Sequence, residues 1–101
     1  MKELRSTQAY DDFEARLKDK VGKARIQARI QRLALGNPGR CRHQEKGVSE
    51  LKIDFGPGYR VYFTERIAGT IVILLAEGDK STQDADIRMA LRLVDKLDWN
   101  F

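Results

Sequence analysis

The spacing of apolar residues switches to a period of two near Gly47 and returns to helical spacing in the last stretch, and those changes constrain the fold more than any other feature. Before Gly47, apolar residues recur at helical spacing; in the middle of the chain they alternate. A domain with helices packed on a sheet accommodates both patterns. Tyr10, Phe13 and Leu17 stand at i, i+3 and i+7, one face of a helix that Ser6 or Thr7 is placed to cap. Val21-Gly22 predicts a break. Ile26, Ile30 and Leu33 then form a second stripe, with Ala24, Ala28 and Ala34 as small contact points and Gly36 as the closing glycine. The short connection predicts an antiparallel helical hairpin. Residues 2 to 6 are a candidate first strand.

Residues 36 to 47 carry Gly36, Asn37, Pro38, Gly39 and Gly47, the turn chemistry of a loop, together with Arg40, Arg42, His43 and Lys46. Beyond it, Leu51, Ile53 and Phe55 alternate with Glu50, Lys52 and Asp54. Gly56-Pro57-Gly58 marks a turn, Tyr59 to Glu65 a second strand, Arg66 to Gly69 another turn, and Thr70 to Ala76 an apolar, β-branched, well-buried strand. Three strands joined this tightly make an antiparallel meander. Ile87, Ala90, Leu91, Val94 and Leu97 form the stripe of a last helix, which Ser81-Thr82-Gln83-Asp84 is suited to start. The expected order is β-α-α-β-β-β-α. The class is α+β, with the helical hairpin and the C-terminal helix against one face of a small, mainly antiparallel sheet.

A chain of 101 residues is expected to make one domain, spanning 1–101. With 42% apolar and 34% charged residues it is globular in composition rather than disordered. Cys41 is the single cysteine, which excludes an intrachain disulfide and fits a reducing compartment. No stretch approaches the ~18 apolar residues of a membrane span, and residues 1 to 16 lack a signal-peptide run. A cytoplasmic location is expected. Lys and Arg number 19 against 15 Asp and Glu, a basic balance that suits a polyanion or an acidic protein partner.

Alternation puts Arg60, Tyr62 and Thr64 on the sheet face opposite Val61 and Phe63, and Glu50, Lys52 and Asp54 join them there. Such a face can dock an RNA backbone at Lys52 and Arg60 and stack a base on Tyr62; it is equally an ordinary solvated face with balanced charges. Lys80 sits where a strand meets a helix N-terminus, a place that attracts anions, though a plain cap with a solvated lysine has the same pattern. The spacing is not that of a P-loop. His43 is the single histidine; it has no partners at metal-ligand spacing and is either a general base in RNA cleavage or a loop residue without a role. The helical face of Lys23, Arg25, Arg29 and Arg32 reads as solvated surface.

Gly47-Val48-Ser49-Glu50-Leu51-Lys52, Gly56-Pro57-Gly58-Tyr59-Arg60-Val61-Tyr62-Phe63 and Gly78-Asp79-Lys80-Ser81-Thr82-Gln83, followed by Asp86-Ile87 and Ala90, resemble the HigB-like addiction module killer proteins of the RelE/ParE toxin superfamily. The Leu35-Gly36-Asn37-Pro38-Gly39 helix end fits as well, and the resemblance runs from about Thr7 to Leu97. It implies the toxin of a type II toxin-antitoxin system. The activity implied is a ribosome-dependent mRNA endoribonuclease needing no metal or cofactor; the alternatives are a ParE-like DNA gyrase inhibitor or a relic that only binds its antitoxin. By the same resemblance Arg60, Lys52 and Lys80 are the catalytic cations; Tyr62, His43, Arg42 and Gln83 are the residues expected to contact RNA. The implied partners are a helix-turn-helix antitoxin, mRNA on the ribosome, and operator DNA through the antitoxin complex. Two departures from the resemblance stand out: Ile87 occupies the position of a RelE tyrosine, and Glu50 that of a lysine.

Overall fold

The computed structural model describes residues 1–97; residues 98–101 of the expected domain lie outside it. The elements are β1 (Glu3–Ser6), α1 (Gln8–Arg16), α2 (Lys20–Ala34), β2 (Cys41–His43), β3 (Ser49–Ile53), β4 (Tyr59–Arg66), β5 (Ile71–Gly78), a 3-10 turn (Lys80–Thr82) and α3 (Gln83–Lys96). One five-stranded sheet runs in the order β1-β5-β4-β3-β2. β1 lies parallel to β5 and every other pairing is antiparallel. The mixed α+β class and the mainly antiparallel sheet are therefore as the sequence implies.

Local chemistry explains the helix ends. Thr7 caps α1, its side chain accepting from the Tyr10 N–H at 3.2 Å. Asp19 caps α2, accepting from the Gly22 N–H at 2.9 Å and from the Tyr59 hydroxyl at 2.7 Å. Those two bonds, the backbone one first, hold its carboxyl below the usual range. The expected break at Val21-Gly22 is instead the first turn of α2. Gly22 is there because a Cβ would fall 2.5 Å from Asp19 Oδ2 and 2.6 Å from the Tyr59 ring. At the other end Gly36, at φ +87°, donates to Leu33 O while Asn37 donates to Arg32 O, the paired bonds of a Schellman stop.

The main departure is that the helices cover both faces of the sheet. Tyr10, Ile26, Ile30 and Leu33 pack with Leu51, Ile53, Val61, Phe63, Val72 and Leu74 on one face. Ala90 and Val94 of α3, with Ile87 and Leu91, pack with Val48, Tyr62, Ile71, Ile73 and Leu75 on the other. β5 requires this, since every residue from Ile71 to Gly78 is buried and its side chains are shared between the two faces. Phe63 pairs with Leu74 and Tyr62 with Ala76, so Leu75 is a bulge that turns two successive residues toward α3. The stretch expected to be a loop also contains β2, whose three exposed residues pair with β3 at the sheet edge.

Candidate functional site

Register sets two rows of side chains on the α3 face of the sheet. Arg42, Glu50, Tyr62 and Ala76 stand opposite one another across β2, β3, β4 and β5; Lys52, Arg60 and Gly78 form the next row. α3 covers only part of this face, and its start closes on the rows. Gln83 Nε2 donates to Glu50 Oε2 at 2.8 Å. The Lys80 N–H donates to Pro57 O at 3.3 Å, which ties the 3-10 turn to the β3–β4 turn. A Cβ on Gly58 would lie 3.3 Å from Arg60 Nη1 and 3.5 Å from Lys80 Cβ, so the glycine lets both approach the turn. The structure thus gathers Lys52, Arg60, Lys80, Arg42 and Gln83 in one region.

The region is less open than alternation alone implies. Arg60 is 5% exposed; its Nη1 donates to Gly58 O at 2.6 Å and its Nε lies 3.8 Å from Glu50 Oε2. Glu50 is itself 3% exposed. Tyr62 is fully buried under α3, so its ring is not presented for base stacking as expected. Burial, then the charge of Glu50, raises its phenol above the ordinary range. Lys52 remains partly exposed, 3.7 Å from Asp54, which also pairs with Arg40. Arg40, Cys41, Arg42, Glu50 and Lys52 line a cleft of about 190 Å³. Burial raises the Cys41 thiol, which opposes a reactive thiolate there.

Two other expected site residues stand differently. His43 pairs with Ser49 on the α1–α2 face, its Nδ1 3.0 Å from Ser49 Oγ, and so faces away from Arg60. Lys80 is exposed, but the backbone N–H groups beside it are not free for an anion. Asp79 accepts from the Ser81 N–H at 2.8 Å and completes a capping box with Thr82. Glu50 and Arg40 are the residues that sequence reasoning left out of the site. Glu50 had a usable signal, since it alternates in phase with Lys52 and Arg60.

The expected solvated face of α2 also changes character. Arg29 donates to Lys52 O at 2.7 Å, Pro38 O at 3.0 Å and Arg40 O at 3.1 Å, pinning the loop before β2 to β3. Arg25 lies over the Phe55 ring, 4.6 Å from its centroid. A second cleft, of about 330 Å³, runs between Arg25, Arg32 and Phe55.

A protein of Haemophilus influenzae described as uncharacterized is 45% identical over 95 residues, covering 94% of this chain and 95% of that protein. The chain belongs to the same family. No family model matches it. Among solved structures, the isolated E. coli RelE toxin aligns with a TM-score of 0.65 at 12% identity, over 88% of this chain and 99% of that one. A chain of the intact E. coli RelBE toxin-antitoxin complex aligns with a TM-score of 0.61 at 13% identity, over 78% and 96%. The fold is RelE-like. Among the described residues, no helix is long and apolar enough to cross a membrane.

Proposed function

We propose that this chain is the toxin of a type II toxin-antitoxin system, of the HigB-like branch, and that it cleaves mRNA on the ribosome without a metal. The observation that carries the reading is the set of cations, Arg42, Lys52 and Arg60, beside the buried carboxylate of Glu50, at the open end of a RelE-like sheet. Arg60 and Lys52 are suited to the charge that grows on a scissile phosphate. Glu50 accepts the 2′-hydroxyl proton; the 2′-oxygen then attacks phosphorus and the 5′-oxygen leaves with a proton from Lys52. The ribosome supplies positioning. Lys80, Arg42 and Gln83 lie where they can hold flanking phosphates. Tyr62 supports the site from beneath, and His43 reaches only RNA that wraps the β2 edge.

The partner in this reading is an antitoxin, in keeping with the RelBE complex among the structural relatives. Its acidic segment docks along the α2 cleft at Arg25, Arg32 and Phe55, and operator DNA is reached through its helix-turn-helix domain. Expression of the chain alone should stop growth and produce cuts in translated mRNA. Arg60→Lys should keep the fold and lose most cutting. Growth arrest with intact mRNA and inhibited gyrase supercoiling would instead favour the ParE-like reading, and no arrest the relic.

A further inference from the structure

A carboxylate that takes a proton from RNA needs a fixed direction, and Glu50 does not get one from its nearest cation. Arg60 Nε lies 3.8 Å from Glu50 Oε2, beyond hydrogen-bond reach, and has no hydrogen-bond partner among the described residues. Two neutral groups hold the carboxyl instead. The buried Tyr62 phenol, opposite Glu50 on β4, shares a hydrogen bond with it. Gln83, the first residue of α3, donates from Nε2 to Oε2 at 2.8 Å. Gln83 is in turn held by the turn before it. Asp79 and Thr82 exchange capping bonds there, and the Thr82 hydroxyl donates to Asp86 Oδ2 at 2.6 Å. Gly78 lets this cluster sit on the end of β5, since a Cβ would fall 1.8 Å from Asp86 Oδ2 and 2.8 Å from Thr82 Oγ1. The Lys80 N–H bond to Pro57 O fixes the same turn to the β3–β4 connection.

We propose that Gln83 is a positioning residue for RNA cleavage, its amide turning Glu50 Oε2 inward so that Oε1 meets the 2′-hydroxyl. The role rests on the nuclease reading and acts wholly through Glu50. A carboxyl group rotates about its last side-chain bond, and one hydrogen bond to Oε2 from a fixed donor removes that freedom. Proton transfer is sensitive to such placement, because a misplacement of ~1 Å at a reacting group can cost about 10²-fold in rate. An amide suits the task. It donates without carrying a charge or a proton that titrates, so it orients the base without competing for the proton that the base accepts. The rigid cap beneath it matters for the same reason, since a side chain on a fixed element holds its partner more precisely than one on a free loop. One N–H of the amide is committed to Glu50, and the other stays available to a flanking phosphate.

The test is single-turnover cleavage of a defined message on purified ribosomes by the full chain. The concentration of programmed ribosomes is varied, so that the maximal rate and half-saturation separate. Gln83→Ala removes the side chain; Gln83→Met keeps its length and packing but not the donor. Each should slow the maximal rate by about tenfold or more, with half-saturation within roughly twofold of the parent. In a Glu50→Gln background, Gln83→Ala should cost less than about twofold further, because no base is left to position. A loss confined to half-saturation would make Gln83 an RNA contact and overturn the proposal. Undiminished rates in both variants, or the same loss with and without Glu50, would overturn it too. A parent chain that leaves ribosome-bound message uncut sinks the nuclease reading and this role with it, whereas a parent that cuts no faster than Gln83→Ala sinks this role alone.

Discussion

Replacing Glu77 with glutamine should stabilise the protein at neutral pH. The side chain is 4% exposed and sits beside a second carboxyl, Glu14, with which it shares a hydrogen bond that needs a proton. Burial first, then that neighbour, lift its pKa from 4.5 to about 9. In the unfolded chain the group ionises near 4.5, whereas in the folded chain it stays protonated until about 9. Between those values the folded state binds more protons, so stability falls as pH rises; it is fully present below 4.5 and lowest above 9. From 4.5 to pH 7 is roughly 2.5 units, and at ~1.36 kcal/mol per unit the burden at pH 7 is about 3 kcal/mol. Local relaxation trims the measurable gain to about 1–3 kcal/mol. Glutamine is neutral at every pH and close in shape to the protonated acid, so the variant should match the parent at pH 4 and exceed it increasingly toward pH 8. Urea denaturation of both proteins across pH 4 to 9 reads the difference directly. Parallel curves, or a variant less stable at pH 7, would refute the reasoning.

Arg60→Ala should destabilise by about 3 kcal/mol, because it leaves Glu50 buried without its cation, while Arg60→Lys should lose less than half of that; chemical denaturation separates the two. Arg29→Ala removes three bonds to the carbonyls of Pro38, Arg40 and Lys52. It should cost about 2 kcal/mol and speed hydrogen exchange in β2 and the loop before it, with little change in β5. For that reason the proposed antitoxin face is best tested with Arg25→Glu and Arg32→Glu alone, which should slow complex formation, most visibly at low salt. Asp79→Ala should cost about 1 kcal/mol through loss of the capping box and should be visible as a lower Tm.

Much of the α1–α2 side of the molecule can be read from the sequence. Tyr10, Ile26, Ile30 and Leu33 announce a buried stripe by spacing alone, and Val61 and Phe63 face it as alternation requires. The placement of α3 could not be read the same way. An amphipathic stripe says that Ala90 and Val94 are buried, but not against which face of the sheet. The clue was in β5, where Ile71 to Ala76 carry no polar residue and so need cover on both sides. That single placement decides the fate of Arg60, Glu50 and Tyr62, which α3 turns from an open face into a half-enclosed site. β2 left almost no trace, because its three residues are exposed and its pairing runs through the backbone. Glu77 was hidden by an expected strand end at Ala76, and Asp79 by the more obvious hydroxyls that follow it.

The central claim is cleavage of mRNA by the Lys52–Arg60–Glu50 cluster. The direct measurement is primer extension on a defined mRNA, bound to purified ribosomes or free, after addition of the purified chain. The claim predicts discrete cuts only in the ribosome-bound message. It also predicts that Glu50→Gln, which keeps the hydrogen bond from Gln83 but cannot accept a proton, slows cutting by about 10²-fold or more while the protein stays folded. Intact message in both conditions, or undiminished cutting by Glu50→Gln, would contradict it.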